Sequence, residues 1–246
     1  MIGSGRTPVV FTDLDDSLFQ TRPKCPVDVP LETAAVDRDG NPLSFTTPEQ
    51  RQLLDWMAQG TVIPVTGRNS DALSRVRLAF TSYRITSHGA LLVDPDGRAD
   101  PEWLACIHDR YQPWLDRLTE SERWLNDIIA TERLDARCRI IEDQGLPVYV
   151  SLKGSDATVA ALAERVRTHW HGEGAMIHVN GHNMALLPAY ASKAEAVGWV
   201  MERVNRELDN PLFIGIGDSE SDLPFLRLCH YAMIPQRSQI RHQVWT

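Results

Sequence analysis

Val9-Val10-Phe11-Thr12-Asp13-Leu14-Asp15-Asp16-Ser17-Leu18-Phe19 is an apolar run that ends abruptly in three carboxylates. β-Branched and aromatic residues are continuous from Val9 to Phe11, which predicts a strand buried on both faces, as in a parallel sheet. Ligands of open α/β sheets bind beyond the carboxyl ends of the strands, so Asp13 and Asp15 are expected to project into a site. Close carboxylates repel one another, and that cost suggests a neutralising cation or a shared proton. Taken alone, the same residues also fit a solvated acidic turn.

Residues 20–46 are rich in Pro, Asp and Thr and contain the turn signal Asp37-Arg38-Asp39-Gly40-Asn41-Pro42, predicting a loop excursion or a short hairpin. Thr47-Pro48-Glu49-Gln50 has the form of a helix start, with Thr47 as N-cap, proline at the first helical position and Gln50 completing a capping box. Leu53, Leu54 and Met57 then make one apolar stripe before Gly60. Thr61-Val62-Ile63-Pro64-Val65 is a second buried-type strand, followed by Thr66-Gly67-Arg68-Asn69-Ser70 and a helix expected over Asp71 to Phe80. A hydroxyl and free backbone amides at such a strand end can hold a phosphate, although Thr, Asn and Ser suit any helix start.

Ile85 to Val93 reads as strand, turn and strand through Ser87-His88-Gly89-Ala90, and Asp94-Pro95-Asp96-Gly97 is a tight turn after it. The pattern then changes. Helical stretches containing Trp103, Trp114 and Trp124, expected to break or kink at Pro113, run to Leu134. Two hairpins, turning at Asp143-Gln144-Gly145 and at Asn180-Gly181-His182-Asn183, flank a helix expected over Asp156 to His171. Helices combined with antiparallel hairpins predict an inserted α+β domain at residues 95–187, between core segments 1–94 and 188–246. The expected fold class is therefore α/β, a Rossmann-like parallel-sheet core with an inserted α+β cap domain.

Strand-helix alternation resumes at Ser192-Lys193-Ala194-Glu195, a second capping-box pattern that opens a helix to Leu208. Lys193 sits at the positive end of that helix, an unfavourable place for a cation unless an anion lies in front of it; a lysine reaching solvent is the ordinary alternative. Leu212-Phe213-Ile214-Gly215-Ile216 is a further strand, running into Gly217-Asp218-Ser219-Glu220-Ser221-Asp222. Asp218 and Asp222, at i and i+4, can line one face of a turn. Gly215-Ile216-Gly217 is not a dinucleotide fingerprint, because Glu220 stands where the third glycine is needed. Tyr231-Ala232-Met233-Ile234 is expected as the last strand.

Composition bounds the partners. At 246 residues, 43% hydrophobic and 24% charged, the chain can bury a full core and does not have the composition of a disordered one. A net charge of −8 argues against nucleic acid as a partner. Four scattered cysteines fit neither a zinc site nor a disulfide framework, and point to a reducing compartment. Residues 1–8 lack an apolar signal region, so a cytoplasmic location is expected. Residues 174–192 contain no Asp, Glu, Lys or Arg, yet their His, Asn, Gly and Pro content makes them a poor membrane span, and no membrane association is expected. Nothing in the sequence sets the oligomeric state.

Together the strand ends and the helix start supply aspartates, a threonine, a lysine and further aspartates in that order. The sequence resembles the haloacid dehalogenase-like phosphohydrolase superfamily: Asp13-x-Asp15-x-Ser17 looks like its first motif, Thr66 its second, Lys193 its third and Gly217-Asp218-x-x-x-Asp222 its fourth. The long insertion and Ser87-His88-Gly89-Ala90 are similar to the cap-bearing type II branch that acts on sugar phosphates and related small phosphates. That resemblance implies a phosphatase with Asp13 as nucleophile and Asp15 as general acid and base. It implies Mg2+ held by Asp13, Asp15, Asp218 and Asp222, with phosphate held by Ser17, Thr66, Gly67 and Lys193. The substrate class is a small phosphorylated metabolite, in particular a sugar phosphate. Arg68, Lys153, His182, Asn183 and Tyr190 are candidates for substrate contact, and each also fits a surface or turn position. Asp16 stands where many relatives carry Gly, and Ser17 where Thr is commoner. A phosphomutase or phosphotransferase on the same scaffold, and a non-catalytic binding module, are the alternatives.

Overall fold

The computed structural model describes residues 8–244. It opens with β1 (Val9–Thr12), followed by β2 (Gln20–Thr21), β3 (Glu32–Val36), β4 (Pro42–Thr46), helix α1 (Pro48–Met57) and β5 (Thr61–Pro64). A short helix α2 (Ser70–Ser74) precedes β6 (Arg84–Thr86) and β7 (Leu91–Val93). The inserted stretch holds α3 (Pro101–Glu132), β8 (Ala136–Asp143), β9 (Leu146–Gly154), α4 (Asp156–Val166), β10 (Met176–Asn180) and β11 (Asn183–Leu187). Helix α5 (Lys193–Glu207), β12 (Phe213–Ile216), α6 (Leu223–Leu226), β13 (Tyr231–Met233) and α7 (Arg241–Val244) complete it.

The central sheet has the order β13-β12-β1-β5 and is parallel throughout. Val9, Val10 and Phe11 are fully buried, as a strand covered on both faces requires. Register decides the rest: Thr12 lies opposite Ile216 on one side and Pro64 on the other. The three strands therefore end level, and the residues that follow each of them emerge side by side. Below the sheet Leu14, Leu18, Phe19, Met57 and Ile214 share one core, against which Leu53 and Leu54 of the α1 stripe pack. The capping box at Thr47 and Gln50 is formed as expected.

The chain divides into two compact units, one reaching Asp100 and resuming at Lys193, the other Pro101–Ser192. Both boundaries lie several residues beyond the expected 95 and 187. Asp100 donates its N–H to the Leu92 carbonyl at 2.7 Å and accepts from Arg203 of α5 at 3.2 Å, which ties residues 95–100 to the first unit. Tyr190 donates its hydroxyl to the Pro147 carbonyl, which ties residues 188–192 to the second. In that second unit the antiparallel sheet β10-β11-β9-β8 is packed by α3 along β8 and β9, and by α4 along β9, β10 and β11.

Three local expectations are corrected. The helix expected over Asp71 to Phe80 stops at Ser74, because the Arg75 carbonyl accepts from Val36 and the Arg77 N–H donates to Ala34, so the backbone pairs with β3 instead. The short hairpin expected within residues 20–46 is present as β3–β4, and β2 extends it to a three-stranded antiparallel sheet, β2-β4-β3. Pro113 does not interrupt α3, where the apolar side chains of Trp103, Ile107, Trp114, Leu118, Leu125 and Ile128 are buried along one helix and outweigh a proline cost of about 3 kcal/mol. Helix α4 ends at Val166, beyond which the Trp170 indole donates to the Met176 carbonyl at 3.0 Å. No helix among the described residues is long and apolar enough to cross a membrane.

Candidate active site

Asp13 follows β1 directly, and its N–H donates to the Ile216 carbonyl at 2.8 Å, so the sheet ladder continues one residue past the strand before the chain turns. Its side chain is buried with 6% of the residue exposed. Lys193, the first residue of α5, is equally buried, and its Nζ donates to Asp13 Oδ1 and to Asp222 Oδ1, both at 2.7 Å. A lysine at the positive end of a helix is thus placed against two anions, which reverses the sign of the dipole penalty. Asp218, after β12, completes the group: Asp13, Asp218 and Asp222 offer oxygens that lie within 4.8 Å of one another.

Electrostatics in this cluster are unbalanced. Burial raises the Asp13 carboxyl well above the ordinary range, with Lys193 opposing and Asp222 and Asp218 reinforcing the rise. Burial also pushes Asp218 up to about 7, helped by repulsion from Asp222 and Asp16. Burial alone would lower Lys193, but Asp13 and Asp222 more than offset it and hold the ammonium well above its usual range. Of the three buried carboxylates, Asp13 and Asp222 are hydrogen-bonded to Lys193, while Asp218 feels Lys193 and Lys24 only through space. That excess of acceptor oxygens is a donor set that suits a hard divalent cation.

The three acids are not equivalent. Asp222 is fully buried; besides Lys193 it accepts from the Asp218 and Ser219 N–H groups at 3.2 and 3.0 Å and from Ser219 Oγ at 2.8 Å, all through Oδ2. Its oxygens hold the 218–222 turn and Lys193 together. Packing enforces this, since a Cβ on Gly217 would lie 2.6 Å from Asp222 Cβ. Ser17 is buried and donates to Asp218 Oδ1 at 3.4 Å.

Asp15 differs from Asp13 in every respect that matters. Its side chain is 47% exposed, and Arg68 grips it in a bidentate pair with Nε and Nη2 each 2.7 Å from a carboxylate oxygen. The Arg68 guanidinium lies over the Phe19 ring at 5.1 Å, so its position is set from two sides. Sequence reading ranks Arg68 as a candidate for substrate contact; the structure pairs it with Asp15. Asp16 has φ 64°, the left-handed conformation that Gly adopts freely and Asp tolerates, and it pairs with Lys24.

Thr66 is buried, and its Oγ1 accepts from the Arg68 N–H at 3.1 Å, leaving the hydroxyl proton to donate elsewhere. Gly67 follows it, pressed against the ring of His88. His88 has no role in the sequence reading, and its signal is the left-handed backbone that sequence does not display. In the other unit, Lys153 and His182 are exposed and Asn183, opposite Lys153 in the β11–β9 ladder, is half-buried. Tyr190 is fully buried, with its hydroxyl engaged by Pro147 and its ring edge-on to Tyr111, a packing position of that unit.

The fold is shared with solved structures. A sucrose-phosphatase from Synechocystis, in complex with sucrose and phosphate, matches over 98% of this chain and 87% of its own at TM-score 0.53 and 19% identity. A haloacid dehalogenase-like hydrolase from B. subtilis matches over 97% of both chains at TM-score 0.55 and 14% identity. The chain has the haloacid dehalogenase-like fold. A trehalose-6-phosphate phosphatase related protein shares the fold at TM-score 0.51 and 18% identity, over 92% of this chain and 85% of its own. No family model and no curated protein sequence matches. In this instance of the haloacid dehalogenase-like fold, the ends of β1, β5 and β12 and the start of α5 carry Asp13, Thr66, Asp218 and Lys193.

Proposed function

We propose that the chain is a magnesium-dependent phosphatase that hydrolyses a small phosphorylated metabolite, in particular a sugar phosphate. The observation that carries this reading is the buried Lys193 ammonium shared between Asp13 and Asp222, with Asp218 beside them. The fold held in common with a sucrose-phosphatase supports the substrate class.

Asp13, Asp218 and the backbone carbonyl of Asp15 would hold the cation, with Asp222 acting through Lys193 and the 218–222 turn. When bound, the cation supplies positive charge to the transferring phosphoryl group and relieves the repulsion among the acids. Asp13 attacks phosphorus, the bond to the leaving alcohol oxygen breaks, and Asp15 delivers a proton to that oxygen. Water then attacks the aspartyl-phosphate while Asp15 takes the water proton, which frees phosphate and restores both acids. Lys193 and the Thr66 hydroxyl hold the non-bridging oxygens. Arg68 aligns Asp15 and has to release at least one of its two bonds for the protonated form to act. The inserted unit would select the substrate, with Lys153, His182 and Asn183 as its candidate contacts.

The test is a panel of phosphorylated metabolites with magnesium or with chelator. Inorganic phosphate released from sugar phosphates, dependent on the cation and abolished in Asp13→Asn, is the expected outcome. Phosphoryl transfer to a second sugar without phosphate release would replace hydrolysis by a transferase reaction.

A further inference from the structure

Ser87 and His88 both adopt left-handed backbone, with φ 50° and 58°, and Gly89 follows with φ 96°. Two consecutive residues with side chains in this region are strained, and such strain persists only where the surroundings over-determine it, most often beside a functional site. Glycine at position 88 would relieve it. The chain keeps a histidine there, 8% exposed.

Both backbone donors of this turn reach the loop after β5. Ser87 N–H donates to the Arg68 carbonyl at 2.8 Å and His88 N–H to the Thr66 carbonyl at 3.0 Å, straddling Gly67. The imidazole lies on Gly67 between them, and a Cβ there would stand 2.5 Å from His88 Cε1 and 2.6 Å from Nε2. Gly67 is not in the left-handed region, so its missing side chain is a demand of the ring and not of the backbone. On its other side the turn packs against α5, the helix that Lys193 begins.

We propose that His88 is a positioning residue. Its ring, driven onto Gly67 by the strained turn, fixes the 66–68 loop and with it both the Thr66 hydroxyl and the Arg68 guanidinium that grips Asp15. This rests on the phosphatase reading above. A displacement of the loop by about 1 Å is enough to cost about 100-fold in turnover.

The experiment is a double-mutant cycle in the full chain, with p-nitrophenyl phosphate turnover and the melting temperature as readouts. Gly67→Ala is expected to lower kcat about 100-fold and His88→Ala about 10-fold, with KM changed less than about threefold in each. In the double variant the new methyl occupies the space the ring has left, so its kcat is expected to match that of His88→Ala alone. His88→Gly, freed of strain, is expected to melt no lower than the wild type while losing turnover to the same degree, which a residue kept only for folding would not do. If His88→Ala does not fold, His88→Asn, tolerated in left-handed backbone, takes its place in the cycle. Additive losses in the cycle, wild-type kcat in His88→Gly, or a defect confined to KM would each overturn the assignment. Failure of the phosphatase reading looks different: turnover by the wild type would then be absent or unaffected by Asp13→Asn, whatever stands at position 88.

Discussion

Asp13 and Asp15 stand two residues apart at the end of one strand and meet their cations in opposite settings. Asp13 is buried and shares a single lysine with Asp222, beside Asp218. Asp15 is half-exposed and is held by a guanidinium in a bidentate pair. On a continuing strand residues two apart would share a face; β1 ends at Thr12 and the chain turns, so the two side chains part, and burial then decides what each can do. The inner cluster is short of positive charge and its Asp13 and Asp218 carboxyls are raised; the outer pair is balanced.

The largest expected effect breaks the comparison at its inner member. Asp13→Asn keeps the shape and removes the attacking oxygen, and phosphate release should fall by about 1,000-fold or more in a discontinuous assay. Asp15→Asn should lower turnover by about 100- to 10,000-fold, the usual range for a lost general acid and base. Its chemical denaturation midpoint should correspond to a stability change under about 1 kcal/mol, because the Asp15–Arg68 pair is solvent-screened.

Stability separates the two pairs further. Lys193→Met leaves Asp13 and Asp222 buried without a cation and should destabilise the fold by about 3–5 kcal/mol, whereas Arg68→Met should cost about 1 kcal/mol. Equal losses in urea titrations of the two variants would remove the distinction between them.

The smallest effect is a pH dependence. Burial lets Asp218 hold its proton up to about pH 7 in the folded chain, against an ordinary carboxyl value of 3.8 when unfolded. The folded chain binds more protons in that window, so stability falls as pH rises through it, with Asp218 contributing at most about 1.4 kcal/mol per pH unit. Denaturation in chelator should show this slope, and either magnesium or Asp218→Asn should reduce it. A stability that rises with pH across the window would contradict the raised carboxyl.

Much of the first unit was legible from residue types alone. The buried strand from Val9, the capping box at Thr47 and the strand ahead of Asp218 depend on local patterns of apolar and capping residues, which act over a few positions. Where the reading went astray, a distant partner intervened: β3 took the backbone of Arg75 and Arg77 out of a helix, and buried tryptophans carried α3 through Pro113. Propensity is worth tenths of a kcal/mol per residue, and tertiary contacts override it.

By itself the sequence determined which acids, hydroxyl and lysine are present and that each stands at the end of a strand or the start of a helix. The tertiary structure alone decided their partners. Register made β1, β5 and β12 end level, which brought Asp13, Asp222 and Lys193 within hydrogen-bonding reach; burial raised the Asp13 and Asp218 carboxyls; and a strained turn laid His88 on Gly67. Residue identity sets what a group can donate or accept, whereas distance and dielectric set which of those capacities it uses.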